Sequence, residues 1–189
     1  MKNLLFKVFL LCLLLTSNAY CNLRGLEGFV HNEIDATKNA RLHSSMGNIY
    51  FSEKNYISAL KEYEIAYSLV KNTLMGSSYL YNMSMCYTKL KQYKKAQELL
   101  IKAIEKDSIN LTYYKALVQN YKLQNTLNSE LIKYEKDKTN FYNEIIIGLI
   151  YVELNKKNHA IMIFENFINK NPDMLITPDI EKELQKLIN

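Results

Sequence analysis

The chain has few of the residues that most often build catalytic and metal sites. It contains only three histidines, three cysteines and five glycines in 189 residues. The histidines, His31, His43 and His159, form neither a His-Glu-x-x-His motif nor a pair at helical spacing, so the usual patterns of zinc sites are excluded. The glycines are scattered, so no glycine-rich phosphate loop is present. We therefore expect no enzymatic activity, no metal and no cofactor.

The charges of the chain do not indicate a nucleic-acid-binding surface. The formal net charge is +5, but the charges alternate in sign along the predicted helices. Binding to nucleic acid would call for basic residues clustered on one face. We expect a protein or peptide partner, and neither a nucleic acid nor a small-molecule substrate.

The N-terminus has the layout of a secretory signal peptide. Two lysines precede a short apolar run from Val8 to Leu15, and the small residues Ser17 and Ala19 follow it. This run is much shorter than the roughly 20 residues needed to span a bilayer. We predict a signal peptide over residues 1–19 with cleavage after Ala19, which lowers the formal net charge from +5 to +3 by removing the two lysines.

Two alternatives at the N-terminus stay open, and both would attach the protein to a membrane. One is an uncleaved anchor. The other is lipid attachment at Cys21, against which Tyr20 argues, because a bacterial lipoprotein signal resembles Leu-small-small-Cys. In either case the chain is interpreted as an exported, bacterial protein.

The stretch over residues 46–66 predicts two short amphipathic helices joined by a charged turn at residues 52–55. Apolar residues recur at helical spacing on both sides of the turn. Gly47 and Ala59 have almost no side chain, so the two helix backbones can approach closely. The same pattern returns downstream, and the sequence therefore predicts an all-α repeat fold.

The spacing is similar to that of the tetratricopeptide repeat, a helix-turn-helix unit of about 34 residues. Departures from the family pattern are His43 in place of a Trp, Ser84 in place of a Gly and Phe167 in place of the last small residue. The resemblance implies a right-handed α-solenoid. The predicted segments are an arm at 20–39, repeats at 40–73, 77–110, 111–140 (degenerate) and 141–174, and a capping helix at 177–189 with Thr177 as its N-cap.

Several tyrosines and one cysteine fall where the repeat pattern places its packing residues. We interpret Cys86 as a small buried residue, not as a reactive thiol. The tyrosines predicted to belong to the core are Tyr50, Tyr63, Tyr87, Tyr121 and Tyr151.

The resemblance also implies a binding groove, which in this family is lined by the first helix of each repeat and holds an extended peptide or a partner helix. The alternative is that the apolar residues of this groove are buried by the arm or by tighter superhelical winding. Carried over by spacing, the groove residues are Asn48, Phe51, Tyr81, Met85, Lys89, Lys115, Gln119, Lys122, Tyr142, Ile145 and Leu149.

Some family members use lysine, arginine and asparagine side chains of this groove to bind the C-terminal carboxylates of chaperones. Only Asn48 and Asn82 match that set, while Ser44, Thr112 and Ala116 stand where it has its cations. We do not predict that activity. The sequence favours a non-catalytic scaffold of the cell envelope that binds a protein or peptide partner, and the alternative is a membrane-anchored structural component of an envelope or outer-membrane assembly complex.

Overall fold

The computed structural model describes residues 34–137, 140 and 142–189. The predicted signal peptide, Cys21 and most of the predicted arm lie outside these residues. The described residues form helices and no strand. The helices are α1 (34–52), α2 (Tyr56–Val70), α3 (Met75–Lys89), α4 (Tyr93–Lys106), α5 (Leu111–Leu123), α6 (Leu127–Lys136), α7 (Asn143–Glu153), α8 (Lys157–Lys170) and α9 (Thr177–Ile188).

The helices stack in chain order as antiparallel pairs, so the predicted all-α solenoid of helix-turn-helix units is confirmed. From α2 to α5 each helix packs against the next, α5 then packs against α7, and α7, α8 and α9 again follow one another. Helix α1 crosses the boundary predicted at residue 40, because its described part begins at residue 34. The last residues of the predicted arm therefore belong to the first helix of the array.

The turns inside the four helix pairs share one geometry. In each, a residue with positive φ follows the first helix, at Lys54, Lys91, Asn125 and Asn155, with φ between 56° and 62°. The next backbone N–H donates to the carbonyl of a tyrosine in that helix, as Asn55 N does to Tyr50 O at 2.9 Å. This is a Schellman-type C-cap, which satisfies carbonyls that the helix end would otherwise leave unpaired.

Small residues of the first helices lie against large side chains of the second helices. A Cβ added to Gly47 would lie 2.6 Å from Cε1 of Tyr63, and one added to Gly148 would lie 2.7 Å from Cδ1 of Phe164. The close approach predicted at Gly47 is therefore present, and its partner is the ring of Tyr63. In the pair α3–α4, Ser84 and Leu100 hold the equivalent sequence positions. Ser84 is larger than glycine, Leu100 is smaller than an aromatic residue, and both are buried.

The pair α5–α6 packs less closely than α3–α4 or α7–α8. Val118 occupies the position that Gly47 and Gly148 hold in other pairs, and it is too bulky for an aromatic ring to lie directly over it. The corresponding aromatic residue, Tyr134, is half-buried, and its hydroxyl is hydrogen-bonded to the hydroxyl of Tyr121 at 2.8 Å. The pair that packs less closely is thus the one in which Val118 replaces the small residue.

The core agrees with the predicted packing at most positions but not at all of them. Cys86 is fully buried, as predicted, and burial raises the pKa of its thiol to about 12. Tyr63 and Tyr121 are buried. Tyr50 and Tyr151 are half-buried and pack against core clusters, so they belong to the margin of the core. The prediction is wrong for Tyr87, which is half-buried and lies in none of the described clusters.

The prediction that Thr177 caps α9 is also wrong. The helix begins at Thr177, and the capping position is held by Ile176. The Thr177 hydroxyl does not accept a bond from the helix; it donates to the carbonyl oxygen of Asn171 at 2.6 Å. This bond ties the start of α9 to the end of α8.

Candidate functional site

The first helices of the second, third and fourth pairs border a cleft of about 460 Å³, within the usual range of about 300–1,000 Å³ for ligand sites. Helices α3, α5 and α7 supply most of its surface, α4 supplies Leu100 and α9 supplies Glu183. We call it the cleft. Its lining residues are Tyr81, Met85, Thr88, Leu100, Thr112, Lys115, Ala116, Val118, Gln119, Asn120, Leu123, Leu149, Val152, Glu153 and Glu183.

The most buried lining residues of the cleft are mainly apolar. Leu100, Val118 and Leu149 are buried, with at most 5% of their surface exposed. Tyr81 and Met85 are half-buried and reach the surface. An apolar surface that remains partly accessible is suited to a partner's apolar side chain, because its burial there would remove further apolar area from water.

Two ion pairs lie on the edge of the cleft. Lys115 Nζ is 2.6 Å from Glu183 Oε1, and Lys122 Nζ is 2.8 Å from Glu153 Oε2. Burial alone would raise the pKa of the Glu183 carboxyl, but hydrogen bonds from Lys115 and from Lys186 outweigh it and hold the pKa below its usual value. Each lysine at this edge is therefore already neutralised by a carboxylate of the same chain.

Asn120 is the buried polar residue of the cleft, with 1% of its surface exposed. Its Oδ1 accepts a hydrogen bond from Gln124 Nε2 at 2.7 Å, and the same Nε2 donates to Gln97 Oε1 at 3.0 Å. Within the described part of the chain, Asn120 Nδ2 is buried and has no hydrogen-bond partner. A buried donor left without an acceptor costs about 1–3 kcal/mol of stability.

Five of the eleven predicted groove residues line the cleft: Tyr81, Met85, Lys115, Gln119 and Leu149. Ile145 does not line the cleft, so its assignment to the groove is corrected. It is fully buried in the same core cluster as Ile176 and Ile180, so a partner in the cleft cannot reach it.

The other five predicted residues do not line the cleft, although Lys122 pairs with Glu153 at its edge. On α1, Asn48 accepts a hydrogen bond from the Tyr63 hydroxyl at 2.7 Å, and Phe51 packs edge-on against Tyr56 at 5.3 Å between ring centroids. The Tyr142 ring is 6.3 Å from that of Tyr114. Lys89 and Lys122 are exposed.

Sequence reasoning missed Asn120, Glu153 and Glu183. Asn120 lies on a predicted first helix, but its spacing alone does not show that its amide is buried. Glu183 was assigned to a capping helix, and its position beside Lys115 depends on how α9 packs. In the residues that the structure describes, no cluster of His, Cys, Asp or Glu could hold a metal ion, and no helix is long and apolar enough to cross a membrane.

Comparison with known proteins agrees with the repeat pattern. Residues 77–108, which form most of α3 and α4, match the tetratricopeptide repeat family. The chain carries a tetratricopeptide repeat. The match lies within the range predicted for the second repeat, and the half-buried Tyr81 and Met85 of the cleft belong to it.

The chain is also similar to a longer protein over part of its length. The Hsp70-Hsp90 organising protein of Plasmodium falciparum is 36% identical over 95 residues, which are 50% of this chain and 16% of that protein. The chain thus spans less than a fifth of the relative's length. This relative is not bacterial, so it gives no support to the bacterial origin predicted from the N-terminus.

Solved tetratricopeptide structures resemble the chain at low sequence identity. The tetratricopeptide domain of Arabidopsis OM64 is 16% identical, with a TM-score of 0.40 over 80% of this chain and 98% of that one. The first such domain of Spaghetti (RPAP3), solved with an HSP90 peptide, is 15% identical, with a TM-score of 0.44 over 80% of this chain and 91% of that one.

Proposed function

We propose that this protein is a non-catalytic interaction module that binds a peptide segment of a protein partner in the cleft. The observation that carries the proposal is the cleft itself, which is lined by three successive first helices and has a mainly apolar interior. Tetratricopeptide repeats act as scaffolds for protein–protein interaction, and extended peptides or helices in grooves are common modes of such binding.

Site-specific photocrosslinking in the source cell tests this function. A photoreactive residue placed at Met85 or Gln119 is expected to crosslink to one protein partner. The matched controls carry it at Lys61 and Lys102, which are exposed on α2 and α4 and do not line the cleft. Recovery of the same partner from all four positions, or from the controls alone, would overturn the assignment of the cleft.

A second test removes the apolar surface. Met85→Glu places a charge beside the buried Leu100 and Leu149, so we expect loss of the crosslink formed from Gln119. Lys102→Glu is the matched control, since the Lys102 side chain is exposed on α4. Circular dichroism of both variants verifies that the helical fold persists.

We further propose that the protein is exported and works in the cell envelope or periplasm. The layout of residues 1–19 supports this location, and these residues lie outside the part of the chain that the structure describes. Mass spectrometry of the mature N-terminus is the test. A chain beginning at Tyr20 supports export with cleavage, whereas lipid on Cys21 or an intact Met1 supports the alternative of a membrane-anchored component of an assembly complex.

A further inference from the structure

We propose that the exposed face of α1 binds the same face of a second copy of this chain, with the two helices antiparallel. The face consists of Leu42, Met46 and Ile49, with Lys38 and Glu53 at its two ends. We call it the α1 face. None of these residues lines the cleft, so the inference does not depend on the proposed peptide-binding function, and the dimer leaves both clefts open.

The later helix pairs use the equivalents of the three apolar residues of the α1 face to contact the preceding pair. On α3, for example, Met83 and Cys86 share a core cluster with Ala59 of α2. Counted from the position of Gly47, the equivalent residues are Tyr79, Met83 and Cys86 on α3, Tyr113, Leu117 and Asn120 on α5, and Asn143, Ile147 and Ile150 on α7. None of them is more than 8% exposed. These three positions are therefore the stacking positions of the array.

On α1 the same stacking positions are open to solvent. Leu42 is 60% exposed, Ile49 57% and Met46 36%. Within the residues that the structure describes, no helix precedes α1 and could cover them. A terminal unit of a solenoid needs a polar outer face when nothing stacks on it. The apolar character of this face therefore indicates that another helix packs against it.

The spacing of the α1 face makes it complementary to itself in the antiparallel orientation. Leu42 and Ile49 lie about two helical turns apart and hence on the same side of α1. When a twofold axis passes midway between them, each Leu42 is level with Ile49 of the second copy. The two Met46 side chains then lie close to the axis. Such a contact is isologous, because one patch binds its own copy.

The charges at the two ends of the face favour the same orientation. Lys38 lies about one turn before Leu42, and Glu53 lies about one turn after Ile49, where its N–H still donates to the Ile49 carbonyl at 3.0 Å. Both side chains are exposed, and neither takes part in an ion pair of the described residues. The antiparallel contact brings each Lys38 level with Glu53 of the second copy. A parallel contact would instead place like charges side by side.

Analytical ultracentrifugation of the processed chain from the source cell, over a wide range of concentration, tests the dimer. We expect a monomer–dimer equilibrium. Ile49→Glu places a carboxylate against Leu42 of the second copy, and does so twice per dimer, so the dissociation constant should rise at least about tenfold. Met162→Glu is the matched control, because Met162 has the same exposed fraction of 57% but lies on α8. Urea unfolding at a concentration where the wild type is monomeric verifies that both variants keep the fold.

Charge reversal tests the antiparallel register. Lys38→Glu and Glu53→Lys each create two like-charge contacts per dimer, so each should raise the dissociation constant a few-fold at low salt. The double variant restores both opposite-charge contacts and should recover most of the affinity. A mixture of the two single variants should form a heterodimer tighter than either homodimer, because each of its contacts again joins a lysine to a glutamate.

Each other outcome is decisive. A chain that stays monomeric at the highest attainable concentration would overturn the proposal, and a fall in its urea midpoint on Ile49→Glu would show that a segment of the same chain covers the α1 face. A dimer that Ile49→Glu leaves unchanged would place the interface elsewhere. If the double charge variant is no tighter than the single variants, the antiparallel register is overturned.

Discussion

Lys115 on α5 and Glu183 on α9 form an ion pair of 2.6 Å that belongs to two neighbouring cavities. Both residues line the cleft, and both also line a cavity of about 930 Å³ between the start of α5 and α9. The pair therefore lies at the boundary between the two cavities. It also links the C-terminal helix to the third helix pair, beyond its packing against α8.

Glu183→Gln should lower stability at neutral pH by less than about 1 kcal/mol, because the Lys115 and Lys186 side chains that it pairs with are largely exposed. The folded pKa of this carboxyl is lowered. Its contribution is therefore present above the unfolded pKa of about 4.3 and is lost as the pH falls through the folded pKa.

Urea unfolding of the wild type and of Glu183→Gln at pH 7 and pH 3 measures this effect. The difference in unfolding free energy between the two proteins should shrink at the lower pH. Glu181→Gln is the matched control, since Glu181 is exposed on the same helix. An equal difference at both pH values would show that the charge of Glu183 does not act as described.

Gly148→Ala should destabilise the protein, because the added Cβ would meet the ring of Phe164. Overpacking costs about 1–3 kcal/mol, and the better helix propensity of Ala returns up to about 1 kcal/mol of it. Phe164→Leu shortens the opposing side chain and makes the pair similar to Ser84 and Leu100. The double variant should therefore lose less than the sum of the single variants.

A double-mutant cycle with urea unfolding tests that coupling. The variants Gly47→Ala and Tyr63→Leu should be coupled in the same way, because a Cβ added at Gly47 would lie 2.6 Å from the Tyr63 ring. Additive losses in both cycles would contradict the direct contact between the small residue and the ring.

Lys91→Gly should stabilise the protein by up to about 1 kcal/mol. Lys91 has φ of 59°, a conformation that costs residues with a Cβ roughly 1–2 kcal/mol and glycine almost nothing. Lys102→Gly is the control on α4, where glycine should destabilise by about 1 kcal/mol. Chemical denaturation gives both values, and a loss of stability in Lys91→Gly would contradict the strain assigned to this turn.

The features that could be predicted from sequence are those that depend only on residues within one helix pair. Gly47 and the tyrosines around it indicate a close helix pair within about 20 residues, and this local pattern predicted the all-α solenoid. Ile145 and Asn120 were not predictable in the same way. Ile145 belongs to one core cluster with residues as distant in sequence as Ile180, and Asn120 is linked through Gln124 to Gln97 on α4. Such relations between distant segments leave no periodic pattern in the sequence.

Cys86 should be almost unreactive in the folded protein. Its side chain is fully buried, and burial raises the pKa of the thiol to about 12, so the reactive thiolate is scarce at neutral pH. The variant Cys12→Ser/Cys21→Ser leaves Cys86 as the single thiol. At pH 8 its reaction with a disulfide reagent should be at least about 100-fold slower than in urea-unfolded protein, because reaction requires the pair α2 and α3 to separate. Rapid reaction in the native state would show that the pair opens readily or that the thiol is exposed, and either result would contradict the packing of Cys86 against Ala59 and Tyr63 in one core cluster.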